Sequence, residues 1–321
     1  MVSDRQPANE SAFQSFTINP AGVSTFKISP MTSESKDFTS VSPSAKSLLL
    51  LKGYTNIPYA KELAALMQGS EVFDLNFDDK DFGFWARVLH FESRYWSIDQ
   101  LLRQTQTRNM LELSSGFSLR GVELCMQDET IHYIDTDLPD LMTQKQQLVA
   151  HQQLDKQLLG QLELLPLNAL DENAFQEVVN RFENGPLTIV NEGLLMYLNE
   201  AEKQQLCGII HRILKQRGGY WITADVYVRR GTEALNAIPQ SSGEAAFFEQ
   251  HHIEENKFES YESAAAFFRS QGLEVVAEAT PNPDGLSALP HLINVLPEAF
   301  RKQPQSEGLP KIQATWMLKA I

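Results

Sequence analysis

LELSSGFSLRG, residues 111–121, closes a short apolar run and opens a helical one. A turn between a strand and a helix aims backbone N–H groups and a helix N-terminus at whatever lies beyond the strand tip. Dinucleotide-binding turns carry G-x-G-x-x-G there, so that a pyrophosphate can rest on the helix. Here Ser114 and Ser115 stand where glycines are expected, and only Gly116 and Gly121 remain. The phosphate-cradling pattern G-x-x-x-x-G-K-[ST] is absent from this turn as well. The turn therefore suits a nucleoside ligand without phosphates better than a dinucleotide or a nucleoside triphosphate.

The surroundings of the turn set the fold class. Strands are predicted at 109–113, 130–135, 161–167, 186–192, 220–226, 273–279 and 312–320. Helical patterns separate the earlier ones, among them LRGVELCM, ENAFQEVVNRF and NEAEKQQLCGIIHRILKQR. Such alternation predicts an α/β protein with a parallel sheet covered on both faces. Ahead of it, SAKSLLLLKGY, AKELAALMQGS and residues 84–103 read as helices; the last repeats apolar residues at Phe84, Val88, Phe91, Tyr95, Ile98 and Leu102. Residues 1–43, rich in Ser, Thr, Asn and Pro, read as a loose arm that has room for a short hairpin. Residues 44–321 read as one domain, with helices over 44–108 and an insertion over 227–268.

In an open parallel sheet, ligands bind outside the C-terminal strand tips. The first tip is the serine-rich turn. The second ends in Asp135-Thr136-Asp137, and an acid about 20 residues after the turn suits a pair of ribose hydroxyls. The third leads into Asn168-Ala169, and the fourth ends in Asn191-Glu192-Gly193. Each feature has a plainer role, Asp137 as a helix cap for instance. Their order and spacing are what point to a nucleoside-type cofactor.

Composition narrows the partners. With 27 basic and 41 acidic residues the formal net charge is -14, against the basic surface that nucleic acid requires. Cys125 and Cys207 have no nearby Cys or His at ligand spacing, so no metal site is expected, and two buried thiols are. No apolar run reaches the ~18 residues of a membrane span. MVSDRQPANES lacks the basic and apolar regions of a secretory leader, so the expected location is cytoplasmic.

Four stretches, LELSSGFSLRG, YIDTDLP, LNALD and NEGLLMYL, together with SRYWSID and SAKSLLLLKGY ahead of the sheet, resemble the leucine carboxyl methyltransferase family. The resemblance spans roughly 44–225. It implies a Rossmann-like class I methyltransferase: a seven-stranded, mostly parallel sheet with helices on both faces, N-terminal helices and an inserted lid. It implies S-adenosylmethionine (SAM) as cofactor. Carried over by position, Lys46 and Arg94 hold the methionine carboxylate, Ser114 and Gly116 lie under that tail, and Glu192 takes its ammonium. Asp137 takes the ribose hydroxyls, and Asn168 and Ala169 bracket the adenine. A zwitterionic tail needs one cation and one anion, and both pairs are charge-assisted. The sequence departs from the family pattern at Ser114, usually Gly, and at Asn168, usually Asp. Arg87, seven residues before Arg94, is the competing arginine; Ile98-Asp99 favours Arg94.

The expected activity is O-methylation of a carboxylate or hydroxyl on a small molecule. The alternatives are a non-catalytic relative that keeps the cofactor fold, a protein C-terminal carboxyl methyltransferase, and an NAD(P)-dependent oxidoreductase. A hydroxyl acceptor calls for a base, for which Tyr197 and Asp225 are the candidates. The plainer roles are a core tyrosine and a hydrogen-bonded strand-end acid. His251, His252, Arg229 and Arg230 belong to the insertion, where solvated surface is their plainer role. The oligomeric state is not legible.

Overall fold

The computed structural model describes residues 42–67, 77–229, 242–280, 282–298, 311 and 313–321, together with three short strands nearer the N-terminus. Those strands are β1 (Ala12–Gln14), β2 (Phe16–Ile18) and β3 (Ile28–Pro30). Most of the expected N-terminal arm, Arg230 and part of the 227–268 insertion lie outside the described residues.

Three helices precede the main sheet: α1 (Ser42–Lys52), α2 (Ala60–Leu66) and α3 (Phe82–Leu102). The alternation then runs β4 (Asn109–Leu113), α4 (Arg120–Gln127), β5 (His132–Asp137), α5 (Pro139–His151), β6 (Gln161–Pro166), α6 (Glu172–Val179), β7 (Leu187–Asn191), α7 (Glu200–Arg217) and β8 (Gly219–Tyr227). The remainder is α8 (Ser242–Gln250), α9 (Tyr261–Ser270), β9 (Leu273–Glu278), α10 (Leu289–Asn294) and β10 (Gln313–Ala320).

The sheet order is β2-β6-β5-β4-β7-β8-β10-β9. β4 to β8 are parallel, and β10 runs antiparallel to both β8 and β9. All seven expected strands are present, in a Rossmann-like, doubly wound arrangement. An eighth, β2, pairs antiparallel with β6 at one edge, and β1 pairs with β3 in a separate ribbon.

Alternation of side chains across a strand builds a core on each face. Leu111, Leu113, Leu187 and Ile189 point to the face packed by Phe175 of α6, Ile210 of α7 and Phe268 of α9. Met110 and Val190 point to the other face, against Ile98 of α3, Val122 of α4 and Met142 of α5. Truncating one such residue to alanine costs about 2–5 kcal/mol. Helix ends are set by their caps: Asp81 accepts from Phe84 N–H at 2.8 Å to start α3, and Asn199 and Glu202 form a capping box at α7. The buried Glu92 of α3 accepts N–H bonds from Ser287 and Ala288, both at 2.8 Å, and so pins the segment ahead of α10.

Gly121 has a packing role. A Cβ at this position would stand 2.5 Å from Tyr133 Cδ1 on β5, so α4 lies on the sheet only because position 121 is bare. We expect Gly121→Ala to destabilise the fold by about 1–3 kcal/mol through overpacking, read from the midpoint of urea unfolding.

Candidate cofactor and acceptor site

The tips of β4, β5, β6, β7 and β8 face one cavity of about 790 Å³. α1 and α3 wall it on one side, and α8 with residues 253–257 on another. The 227–268 segment contributes wall residues to the cavity.

The serine-rich turn has an unusual backbone. Ser114 has φ 50° and Gly116 φ 56°, both left-handed. Ser115 N–H donates to Thr136 O at 3.1 Å, which ties the turn to β5. Ser115 Oγ accepts from the buried Lys145 Nζ at 2.9 Å, and Lys145 pairs with Asp135 at 2.5 Å. Gly116 N–H donates to Asp137 Oδ2 and Leu138 N–H to Asp137 Oδ1, both at 2.7 Å. Burial raises the Asp137 carboxyl above its usual range, against the pull of these two amides. The carboxylate is thereby fixed at the cavity wall, where each oxygen keeps lone-pair capacity.

The β7 tip carries the strongest charge pairing. Lys52 Nζ lies 2.6 Å and Arg94 Nε 3.1 Å from Glu192 Oε1. Arg120 Nη2 stands 3.6 Å from Glu192 Oε2. Burial alone would raise the Glu192 carboxyl; Lys52, Arg94 and Arg120 overcome it and hold the group well below the usual carboxylate range. Behind it, Arg120 pairs with Glu112 and with Asp99, the latter at 2.7 Å. Tyr133 Oη donates to Glu112 at 2.7 Å, and the Arg120 guanidinium lies 4.2 Å from the Tyr95 ring centroid.

Tyr95 Oη, beside this cluster, has no hydrogen-bond partner, and neither do two charged atoms, Arg94 Nη2 and Glu192 Oε2. One is a donor on a cation and the other an acceptor on an anion, and both residues line the cavity. A buried charge-bearing atom left open is costly. An amino-acid zwitterion would satisfy both, its carboxylate at Arg94 and its ammonium at Glu192. Gly193, with φ 84°, lets the arginine in: a Cβ there would sit 3.3 Å from Arg94 Nη2.

The structure brings Arg94, Ser114, Gly116, Asp137, Asn168, Ala169, Glu192 and Tyr197 to the one cavity. Asn168 folds its Oδ1 back onto Leu170 N–H at 3.0 Å, and Tyr197 Oη lies 3.3 Å from Ser44 Oγ. Lys46 does not line the cavity, whereas Lys52 on the same helix does. Asp225 does not line it either. It accepts from Gly193 N–H and Leu194 N–H at 2.6 Å, Leu195 N–H at 3.1 Å and Asn191 Nδ2 at 2.6 Å. Four donors on one buried carboxylate leave it to shape the turn after β7, the plainer of its two roles. Arg87 does line the cavity, where it grips Glu244 of α8 through Nε at 3.2 Å and Nη2 at 2.5 Å. His251 packs 4.4 Å from the Phe247 ring, His252 is exposed, and Arg229 pairs with Glu259.

Sequence reading passed over Lys52, His90, Arg120 and Tyr227. His90 was accessible from helical spacing, since residues 87, 90 and 94 share one stripe of α3. Its Nε2 lies 2.8 Å from Tyr227 Oη, and Arg94 Nη1 donates to the same oxygen at 3.1 Å. Burial, helped by Arg94, pushes the His90 imidazole down to about 3, so it is neutral. Burial pushes the Tyr227 phenol up to about 12. Among the described residues there is no cluster of three metal-ligating side chains, and no helix long and apolar enough to cross a membrane.

No protein-family model matches this sequence, and no curated protein matches it. Solved structures of related shape include the mitomycin 7-O-methyltransferase MmcR, at 8% identity over 74% of this chain and 57% of that one, with a TM-score of 0.43. PigF with SAH gives 11% identity over 74% of this chain and 58% of that one, with a TM-score of 0.42. The S-adenosylmethionine-dependent methyltransferase SibL in its apo form gives 11% identity over 88% of this chain and 71% of that one, with a TM-score of 0.43. The chain spans 57% of the length of MmcR and 44% of that of LepI, solved in complex with SAH and substrate analogue. At this level the likeness is loose, and the site has to be judged by its own residues.

Ser114 is the position to test first. A non-glycine residue in the left-handed region carries a steric penalty of roughly 1–2 kcal/mol, partly offset by glycine's greater entropy loss on folding. Ser114→Gly should therefore stabilise the protein by about 1 kcal/mol, seen as a higher urea midpoint with an unchanged m-value.

Proposed function

We propose that this chain is a SAM-dependent methyltransferase acting on a small molecule, a relative of the leucine carboxyl methyltransferases. The observation that carries the reading is the pair of buried, unpartnered atoms, Arg94 Nη2 and Glu192 Oε2, on two residues that line one cavity beside the β4 turn. They have opposite charge and suit the two ends of an amino-acid tail. Lys52, in place of the Lys46 expected from sequence, and Arg94 would hold the carboxylate, and Glu192 the ammonium. Ser114 and Gly116 would underlie the tail, Asp137 would take the ribose hydroxyls, and Asn168 and Ala169 would flank the adenine. When bound, SAM supplies an electrophilic methyl group on a sulfonium. The protein's part is alignment and the exclusion of water. The buried pairs Lys52–Glu192 and Arg94–Glu192 are set before any ligand arrives, so little reorganisation accompanies binding.

The left-handed Ser114 also bears on the non-catalytic alternative. Its backbone already follows the path a glycine would take, so the departure from the family pattern does not reroute the turn.

The test is calorimetric titration with SAM and, separately, with NADH. SAM should bind and NADH should not; the reverse outcome would replace a methyltransferase with an oxidoreductase. Asp137→Ala should weaken SAM binding at least tenfold, equivalent to about 1.4 kcal/mol, and Glu192→Gln should do the same by removing the partner of the ammonium. Unchanged affinity in both variants would refute the placement of the cofactor.

A further inference from the structure

The guanidinium of Arg94 has three nitrogen corners, and two of them are held. Nε donates to Glu192 Oε1 at 3.1 Å, and Nη1 donates to Tyr227 Oη at 3.1 Å. Nη2 has no hydrogen-bond partner. A guanidinium is a rigid plane, so two corners anchored on separate strands fix where the third stands. The Phe91 ring, its centroid 5.1 Å from Arg94 Cζ, lies against that plane.

The second anchor is itself held. Tyr227 ends β8, where its register partner is Gln313 of β10, and its carbonyl accepts from Phe258 N–H at 2.9 Å. Its hydroxyl lies 2.8 Å from Nε2 of His90. His90 and Arg94 are four residues apart on α3, so they share a face of that helix and reach the same oxygen. Arg94 can only donate there. The His90 contact braces Tyr227 Oη whichever of the two atoms carries the shared proton.

The choice of a phenol at this corner bears on charge. The cations Lys52, Arg94 and Arg120 are already matched by Glu192, Glu112 and Asp99. A carboxylate at Nη1 would add a fourth anion and oppose any anion arriving at Nη2. Burial pushes the Tyr227 phenol up to about 12, against the pull of Arg94, so Tyr227 is neutral near pH 7. It fixes the guanidinium without cancelling its charge.

From this geometry we infer that Tyr227, braced by His90, is a positioning residue for the cofactor: it sets the Arg94 guanidinium so that Nη2 meets the carboxylate of the methionine tail. A side chain already held in its binding pose loses little further freedom when the ligand arrives. The inference rests on the cofactor reading proposed above.

Two ligands that differ only in the tail region test it. S-adenosylhomocysteine (SAH) carries the amino-acid tail; 5′-methylthioadenosine keeps the adenosyl thioether and lacks that tail. Their affinities for the full chain are measured by calorimetry, up to millimolar ligand. The wild type should prefer SAH. Tyr227→Phe keeps the ring and removes the anchor. It should bind SAH roughly tenfold more weakly, as for a lost hydrogen bond to a charged group, and methylthioadenosine as the wild type does. His90→Leu should weaken SAH with the same selectivity and by a smaller factor, and it carries the comparison should Tyr227→Phe fail to fold. A pair that merely holds α3 against β8 would weaken both ligands together, and that outcome overturns the inference. SAH bound equally well by Tyr227→Phe and the wild type overturns it too, with the cofactor reading intact. Failure of the wild type to bind SAH would instead remove the cofactor reading, and the inference with it.

Discussion

A cluster of charges buried behind the cavity is the constraint on which the rest of this structure depends. Lys52 from α1, Arg94 from α3 and Arg120 from α4 meet Glu192 at the β7 tip, Glu112 on β4 and Asp99 on α3. Three cations balance three anions, most of them buried. Removing one member of such a cluster leaves an uncompensated buried charge, at a cost of roughly 3–5 kcal/mol. The cluster also dictates placement: it requires the helices ahead of the sheet to dock over the strand tips in one register. The N-terminal helices are thereby part of the site, not an appendage to it. Two atoms of the cluster, Arg94 Nη2 and Glu192 Oε2, have no hydrogen-bond partner, and both residues line the cavity. The same interactions that hold the helices down thus define what can bind above them.

Much of the fold was legible because its signals are local. Near-continuous apolar runs separated by helical periods gave seven of the eight strands of the main sheet, most within one residue at each end. β5 is the exception, starting two residues after the expected position. Asp128 Oδ1 accepts from both Thr130 N–H and Thr130 Oγ at 2.8 and 2.7 Å, which holds Thr130 in a turn. The strand continues instead through Asp137, which pairs with Pro166 of β6. β2 was beyond such reading: three residues pair only because a long-range edge is available to them.

The site was legible where backbone placed the residue and illegible where side-chain reach did. Strand-tip residues such as Asp137 and Glu192 are positioned by the sheet, so their order along the chain suffices. Lys46 and Lys52 are six residues apart on one helix, which at about 100° per residue puts them some 120° apart in azimuth; sequence alone does not say which face docks. Asp225 shows the opposite failure. A strand-end acid looks the same in sequence whether it faces a ligand or folds the neighbouring turn, and only the four donors around it decide. Tyr227, two residues further along β8, points to the same side and does reach the cavity. His90 lay in plain view on the α3 stripe, and it was the identity of its partner that could not be read.

The place of β10 in the sheet bears on how the chain assembles. β9 touches the sheet through β10 alone, and β10 is wedged between β8 and β9 with its direction reversed. A chain made from its N-terminus can pair β4 to β8 as they emerge, because each successive parallel strand finds a neighbour already made. β9 cannot join in that order. It waits until residues 313–320 arrive to bridge the gap. The edge of β8 stays an open template in the meantime, the kind of surface on which strands of other chains pair. Closure of the sheet between β8 and β9 is in this sense a single event, reserved for β10.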